Sequence, residues 1–268
     1  MEKKKKRLII VSIIAGTLVL LVLLSSAIFK IKSVSIEYQT TLNLLSVEDL
    51  NKMVEESEIP YGKSIFFSSL DENIREMEES QPYIKVNKIE RKFPNSLVVL
   101  VSERVPVVKV ETTSGTYILD SDLKVLNIAT NLNEFNSQTG ENDLPKLVIS
   151  EDFNKKVASH KKGEFVEDAT VQKYVDAFYR GAVSPGKEDK SVAISLIHTI
   201  EEIKVGYIEE LGATCFDITY GGLSVKSRII GDNNLVDDIY KVLSAVSMSG
   251  DEYSEINCTD GVIYAKKA

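Results

Sequence analysis

Tryptophan is absent from this chain of 268 residues, and histidine and cysteine occur twice each. Two cysteines, Cys215 and Cys258, cannot build a disulfide framework. Both lie in strand-like runs, so the expectation is two buried thiols, with a single bridge as the alternative. The histidines form no H-x-x-x-H and there is no C-x-x-C, so a metal centre would have to be assembled from scattered carboxylates. Acidic pairs such as Glu55-Glu56 and Glu78-Glu79 read instead as solvated helix faces. Basic charge is scarce beyond residue 32: from there on, 25 basic side chains face 39 acidic ones, a net of −14. That balance, with no basic stripe carrying interleaved aromatics, argues against nucleic acid or anionic lipid head groups as partners of the body.

Nucleophilic and phosphate-binding constellations are missing as well. S-x-x-K occurs at Ser121, Ser159 and Ser184, but 27 serines and 26 lysines make three matches what chance gives, and neither S-D-N nor K-T-G accompanies them. "GAVSPGK", Gly181 to Lys187, imitates a phosphate-cradling loop and fails twice: Glu188 stands where a hydroxyl is needed, and the preceding residues read as helix rather than strand. No nucleophile with a base and an orienting group emerges. The expectation is a protein that is not an enzyme and needs no cofactor, metal or small-molecule substrate.

What is there begins with "KKKKR", Lys3 to Arg7, running into Leu8–Phe29, 22 residues without a charge. At about 1.5 Å per residue such a helix matches the roughly 30 Å hydrocarbon core of a bilayer. The basic side marks a cytoplasmic tail (residues 1–7) and places the C-terminal body outside the membrane. A cleaved signal peptide, with the small-x-small pair Ser25 and Ala27, is the rival; its apolar region should be shorter.

The body is long enough for two domains. "SVSIE" (33–37) alternates as a strand, "SVEDLNKMVEES" (46–57) carries a helical stripe behind a capping-box variant, and Ser69 with Glu72 boxes a second, shorter helix. Pro82 ends it. "YIKVNKIERKF" then changes parity near Asn87 or Lys88, which suggests a bulge, and "PNS" turns into Leu97–Val101, apolar on both faces as in a central strand. The unit is β-α-α-β-β.

Past Pro106, "VVKVETTSGTYILDSDLKVLNIA" reads as three short antiparallel strands, 130–143 as a polar surface loop and "LPKLVIS" as a further strand. Between 151 and 203 two helices are expected, one on Val171, Tyr174, Val175 and Phe178, the other on Ile194, Ile197 and Ile200 through Ile203. "ATCFDITY-GG-LSVKSRII" reads as a hairpin; Asp232 or Asn233 caps a helix on Leu235, Ile239, Val242, Leu243 and Val246. "YSEINCTDGVIYA" closes the chain as a strand pair around Asp260-Gly261 whose outer side has nothing after it to pair with. Such an edge is a template for a partner strand. The fold class is thus α+β: one N-terminal transmembrane helix, a small β-α-α-β-β domain, and a mostly antiparallel β domain with flanking helices.

The order of these pieces, with "PYIKVNKIERKFPNSLVVLVSERVPV" and "YILDSDLKVL", resembles the bacterial cell-division family FtsQ, called DivIB in Gram-positive bacteria. Pro82, Arg91, Phe93, Pro94, Leu97, Val99, Val101, Glu103, Arg104 and Pro106 fill the family pattern over about 25 residues. The chain departs from it at "YQTTLNLLS", where the family usually carries a Gly-Asn pair, and Asn131–Ile203 shows no family pattern. The resemblance implies a POTRA domain at 33–104 and an FtsQ-type β domain at 105–268 with its polar insertion near 130–143. It implies a non-catalytic, membrane-embedded divisome component at the septum, binding bitopic coiled-coil proteins of the FtsL and FtsB/DivIC type and helping to control septal peptidoglycan synthesis and its synthases. The carried-over partner-binding stretch is Tyr253 to Ala265, with Tyr253, Ile256, Val262, Ile263, Tyr264 and Ala265 as contact residues; plain sheet core is the competing reading for each. Glu103, Arg104 and Pro106 mark a domain joint, Arg104 either orienting it through a carboxylate or lying solvated at a strand end. A membrane-anchored cell-wall enzyme, and a sensor or transport module that uses a POTRA domain outside division, stand as alternatives.

Overall fold

A computed structural model describes residues 15–17, 28–38, 52, 55, 56, 59–66, 69–137, 140–183 and 196–268. Among them no helix is long and apolar enough to cross a membrane; the expected span, Leu8–Phe29, lies outside the described residues except at 15–17, 28 and 29. The chain divides into two compact units, residues 1–80 with 84–102, and residues 81–83 with 103–268. Mixed α+β structure with one large sheet is the observed class.

In the first unit, β1 (Ser33–Tyr38), β2 (Ile84–Lys92) and β3 (Ser96–Glu103) form a sheet in the order β1-β3-β2, with β1 parallel to β3. The strand apolar on both faces is thus the central one, where neither face meets much water. In β2 burial alternates from Ile84 to Val86, then slips, because Asn87 and Lys88 are both exposed before Ile89 turns inward. Helix α1 (Asp71–Ser80) drives Met77 into the core of Ile65, Ile84, Leu97, Val99 and Val101. Its solvent face holds Arg75 between Glu72 and Glu79. The expected capping box does not form: Ser69 Oγ donates to Asp71 and Glu72 is turned to Arg75, while Ile74 N–H reaches Leu70 O at 3.0 Å. The helix expected at 46–57 lies outside the described residues except Lys52, Glu55 and Glu56, which are helical.

The second unit is a nine-stranded sheet. Its strands are β4 (Val108–Thr112), β5 (Gly115–Leu119), β6 (Val125–Ala129), β7 (Lys146–Val148), β8 (Ile200–Ile208), β9 (Ala213–Tyr220), β10 (Lys226–Ile230), β11 (Tyr253–Thr259) and β12 (Val262–Lys267). They lie in the order β12-β11-β10-β9-β8-β7-β4-β5-β6. Five neighbour pairs are antiparallel. The parallel ones are β4/β7, β7/β8 and β10/β11. The last two follow from the chain path, since a parallel return needs a crossover and helices supply it. These are α2 (Glu151–Ala158) and α3 (Ala169–Val183) between β7 and β8, and α4 (Leu235–Ser249) between β10 and β11. Tyr174, Val175 and Phe178 of α3 and Ile239 of α4 meet Ile203, Val205, Phe216 and Ile218 of the sheet. Gly181, the first glycine of the phosphate-loop look-alike, serves this packing: a Cβ there would lie 2.6 Å from Ile239 Cγ2.

Three expectations for the second unit are overturned, and one further helix appears. Ile200–Ile203 is the start of strand β8, not helix; of the helix expected there, Leu196 and Ile197 are helical and Ile194 lies outside the described residues. Helix α2 was unforeseen, although Ser150 caps it by accepting from Phe153 N–H at 3.1 Å. Neither Asp232 nor Asn233 caps α4: Asn234 holds that position without a side-chain bond, and Asp232 pairs with Lys173 at 2.9 Å. The polar stretch 130–143 is not wholly surface. Its Glu141 is buried, taking Tyr83 Oη on one oxygen and Asn127 Nδ2 (2.8 Å) and Asn136 N–H (2.7 Å) on the other.

Candidate functional site

The last hairpin is closed by Asp260 and Gly261, both with positive φ (47° and 80°), as a two-residue turn between right-twisted strands requires. Register then runs Thr259↔Val262, Cys258↔Ile263, Asn257↔Tyr264 and Ile256↔Ala265. In such a hairpin the pair flanking the turn is hydrogen-bonded and the pairs alternate from there. The main-chain groups of Val262 and Tyr264 therefore face β11, and those of Ile263 and Ala265 face outward, where β12 ends the sheet.

The two edges of the sheet differ. Along β6, Val125 N–H bonds Glu164 O at 2.9 Å, Gly163 N–H bonds Val125 O at 2.8 Å, and Lys124 bridges Phe165, so segment 163–166 covers the start of that edge. Asn127 Nδ2 also reaches Glu134 O (2.9 Å) from the loop beyond. No such cover lies along β12 among the described residues. Val262 is 51 % exposed and Tyr264 58 %. A covered edge is protected against unwanted pairing; a bare one is available for it.

Side chains along this edge have two surroundings. Tyr264 ends a cross-strand row on the polar face of the sheet: Lys204, Asp217, Arg228, Asn257, Tyr264. Arg228 grips Asp217 through both carboxylate oxygens (2.6 and 3.1 Å), and its N–H donates to Asn257 Oδ1 at 2.9 Å. Ile256 and Cys258 turn the other way, into the core beneath α4; Ile256 is 1 % exposed and offers no side chain to a partner. Tyr253 and Ile263 are half-buried, and Ala265 is exposed. Of the six residues expected at the site, four lie on the bare strand, and Tyr253 lies beside Lys267 at its far end.

The residues expected at a domain joint are inside the second unit's own packing. Arg104 is no solvated strand end: its side chain is 4 % exposed, held by Asp120 at 2.6 Å and Asp122 at 3.0 Å, and its N–H donates to Tyr83 O at 2.7 Å. The ring of Phe165 lies 5.3 Å from the guanidinium, with buried Lys124 4.9 Å from the same ring. Burial pushes the Asp120 carboxyl above the ordinary range, against the pull of Arg104 and of Lys124 N–H. Glu103 and Pro106 are buried beside it. The carboxylate partners were legible as the Asp120-Ser121-Asp122 turn; nothing local in the sequence joined Phe165 and Lys124 to them.

Cys215 and Cys258 are both free and buried. Cys215 pairs with Ile230 and Cys258 with Ile229 across the intervening β10, so the two thiols point to opposite faces, about 10 Å apart in strand spacing. Burial, with Asp238 close by, pushes the Cys258 thiol up to about 11. Among the described residues no group of His, Cys, Asp and Glu is placed to hold a metal ion. His160 Nδ1 sits on Lys156 O at 2.8 Å, and His198 is held below its ordinary range by burial.

The described residues thus form a small three-stranded domain and a nine-stranded sheet with one uncovered edge, and comparison with known sequences finds two similarities. Residues 29–104 match the family model of the FtsQ-type POTRA domain. The cell division protein DivIB of Clostridium tetani (strain Massachusetts / E88) is 25% identical over 180 residues, which is 67% of this chain; the matched part spans 61% of that protein's length. The two matches together support the FtsQ/DivIB family for this chain.

Proposed function

We propose that the chain is a non-catalytic component of the bacterial division machinery. Leu8–Phe29 anchors it in the membrane with residues 1–7 in the cytoplasm, and its body outside binds bitopic coiled-coil proteins of the FtsL and FtsB/DivIC type. Binding helps to control septal peptidoglycan synthesis. The observation that carries this reading is the β12 edge: among the described residues one end of a nine-stranded sheet is covered and the other is bare. An extended segment of the partner adds as a tenth strand, its main chain bonding Ile263 and Ala265 and its side chains meeting Val262 and Tyr264. The name of the relative and the POTRA match supply the division context.

A fluorescent fusion to the full chain, expressed in dividing cells of its own bacterium, is expected to gather at midcell as the septum forms. Even distribution around the membrane through the whole cycle contradicts the division reading and favours a sensor or transport role.

A further inference from the structure

The first unit carries an exposed aromatic patch. Phe66 is 49 % exposed and Phe93 57 %, stacked on each other at 5.0 Å; Phe29 packs against both, at 5.0 and 6.2 Å. Ile28 and Tyr61 are exposed in the same stretches. Half-bare rings in mutual contact are an apolar surface that a folded domain covers when it has the means.

Two further facts fix what covers this one. Phe29 is the final residue of the uncharged run Leu8–Phe29, and there is no slack after it. Lys30 bridges Ser64, Ile65 N–H reaches Phe29 O at 2.8 Å, Ile31 N–H reaches Lys63 O at 3.0 Å, Gly62 N–H reaches Ile31 O at 2.9 Å, and Lys32 N–H reaches Asn95 O at 2.8 Å. Ile31 is already a core residue. A domain stitched to its chain at the residue where the span ends cannot hang away from the bilayer on a linker. The patch contains that residue.

The charges around it are of one predominant sign. Lys30, Lys32, Lys63, Arg91 and Lys92 are exposed in these stretches, against Glu37 and Glu90, although the body as a whole is acidic. Long basic side chains flanking apolar rings suit the head-group level of a bilayer, where the stems lie along apolar surface and the charges stay hydrated.

We propose that Phe29, Phe66 and Phe93 seat the first unit on the outer face of the bilayer at the head-group boundary, with Lys30, Lys63 and Lys92 around the rings, so that the unit stands on the membrane in one fixed pose. The proposal rests on reading Leu8–Phe29 as a span. The absence of tryptophan makes the test clean. Single variants Phe66→Trp and Phe93→Trp of the full chain are reconstituted in phosphatidylcholine–phosphatidylglycerol vesicles, some prepared with lipid brominated near the head-group end of its acyl chains. Leu20→Trp reports the span, and Tyr207→Trp, an exposed side chain on β8, reports open solvent. Expected are short-wavelength emission from the variants at 66 and 93 and loss of most of their intensity in brominated lipid, with Tyr207→Trp unaffected. If position 20 is quenched while both ring positions keep their intensity, the seating is overturned and the span stands. If those two positions emit at short wavelength yet are not quenched, protein covers the patch and the seating is again overturned. If position 20 is not quenched either, the span reading itself fails and the proposal falls with it.

Discussion

Arg104→Ala is expected to cost the second unit about 3–5 kcal/mol, the scale for removing one partner of a buried ion pair. The guanidinium is 4 % exposed and is the charge facing Asp120 at 2.6 Å and Asp122 at 3.0 Å. Alanine leaves Asp120 buried with two main-chain donors, Asp122 N–H (2.9 Å) and Lys124 N–H (2.8 Å), and no guanidinium. Its stacking on Phe165 is lost as well. Arg104→Lys keeps the charge but not the planar guanidinium, whose Nη1 reaches both carboxylates while the group lies over Phe165, and falls between. The loss depends on pH in a stated direction. In the native protein burial already holds the Asp120 carboxyl above its ordinary range, and without Arg104 it rises further. A carboxyl raised on folding favours the folded state most when protonated, below its unfolded value of about 4, and this contribution disappears as pH climbs through the folded value. The deficit of the alanine variant is therefore smallest in acid and grows toward neutrality. Denaturant unfolding of the full-length variants across that range measures it; a loss under about 1 kcal/mol, typical of an exposed pair, at every pH would contradict the buried-pair account.

Ending the chain after Thr259 is expected to abolish co-purification with the FtsB/DivIC-type partner while the POTRA domain remains folded. The deletion removes β12 and its outward main-chain groups at Ile263 and Ala265. It also bares part of β11, so a finer variant separates template loss from damage to the sheet. Ile263→Pro takes away an N–H that faces outward; proline is tolerated on an edge strand when the missing donor faces solvent, so the hairpin persists and partner binding drops. Tyr264→Pro removes an N–H that faces β11 and unfastens the hairpin itself. Binding that survives both the truncation and Ile263→Pro contradicts the strand-edge site.

The first unit was the more legible in sequence. The two-faced apolar run Leu97–Val101, fenced by turns, admits few places except the centre of a small sheet, and there it is. The parity slip at Asn87 and Lys88 was visible because a strand has a period of two and any interruption shows. The second unit was legible where turns are short and chemically marked, as at Asp260-Gly261, and illegible where pairing is distant. No local pattern shows that β4 lies beside β7, that segment 163–166 closes the β6 edge, or that Glu141 is buried in a polar stretch. Helix α2 left a signal that could have been read: Ser150 before Glu151 and Asp152, with Phe153 and Val157 one turn apart. At the candidate site the strand pair and its Asp260-Gly261 turn were legible in the sequence. Which side chains face outward waited on the register, and that removed Ile256 from reach while leaving Val262 and Tyr264 exposed.

Residue-resolved amide hydrogen exchange of the full chain, alone and with the FtsB/DivIC-type partner, tests the strand-addition claim most directly. In the free protein the amides of Val262 and Tyr264, which face β11, are expected to be protected and those of Ile263 and Ala265 to exchange fast. On binding, Ile263 and Ala265 are expected to become protected together while the amides of β6 do not change. Partner binding that leaves Ile263 and Ala265 exchanging as before would contradict it.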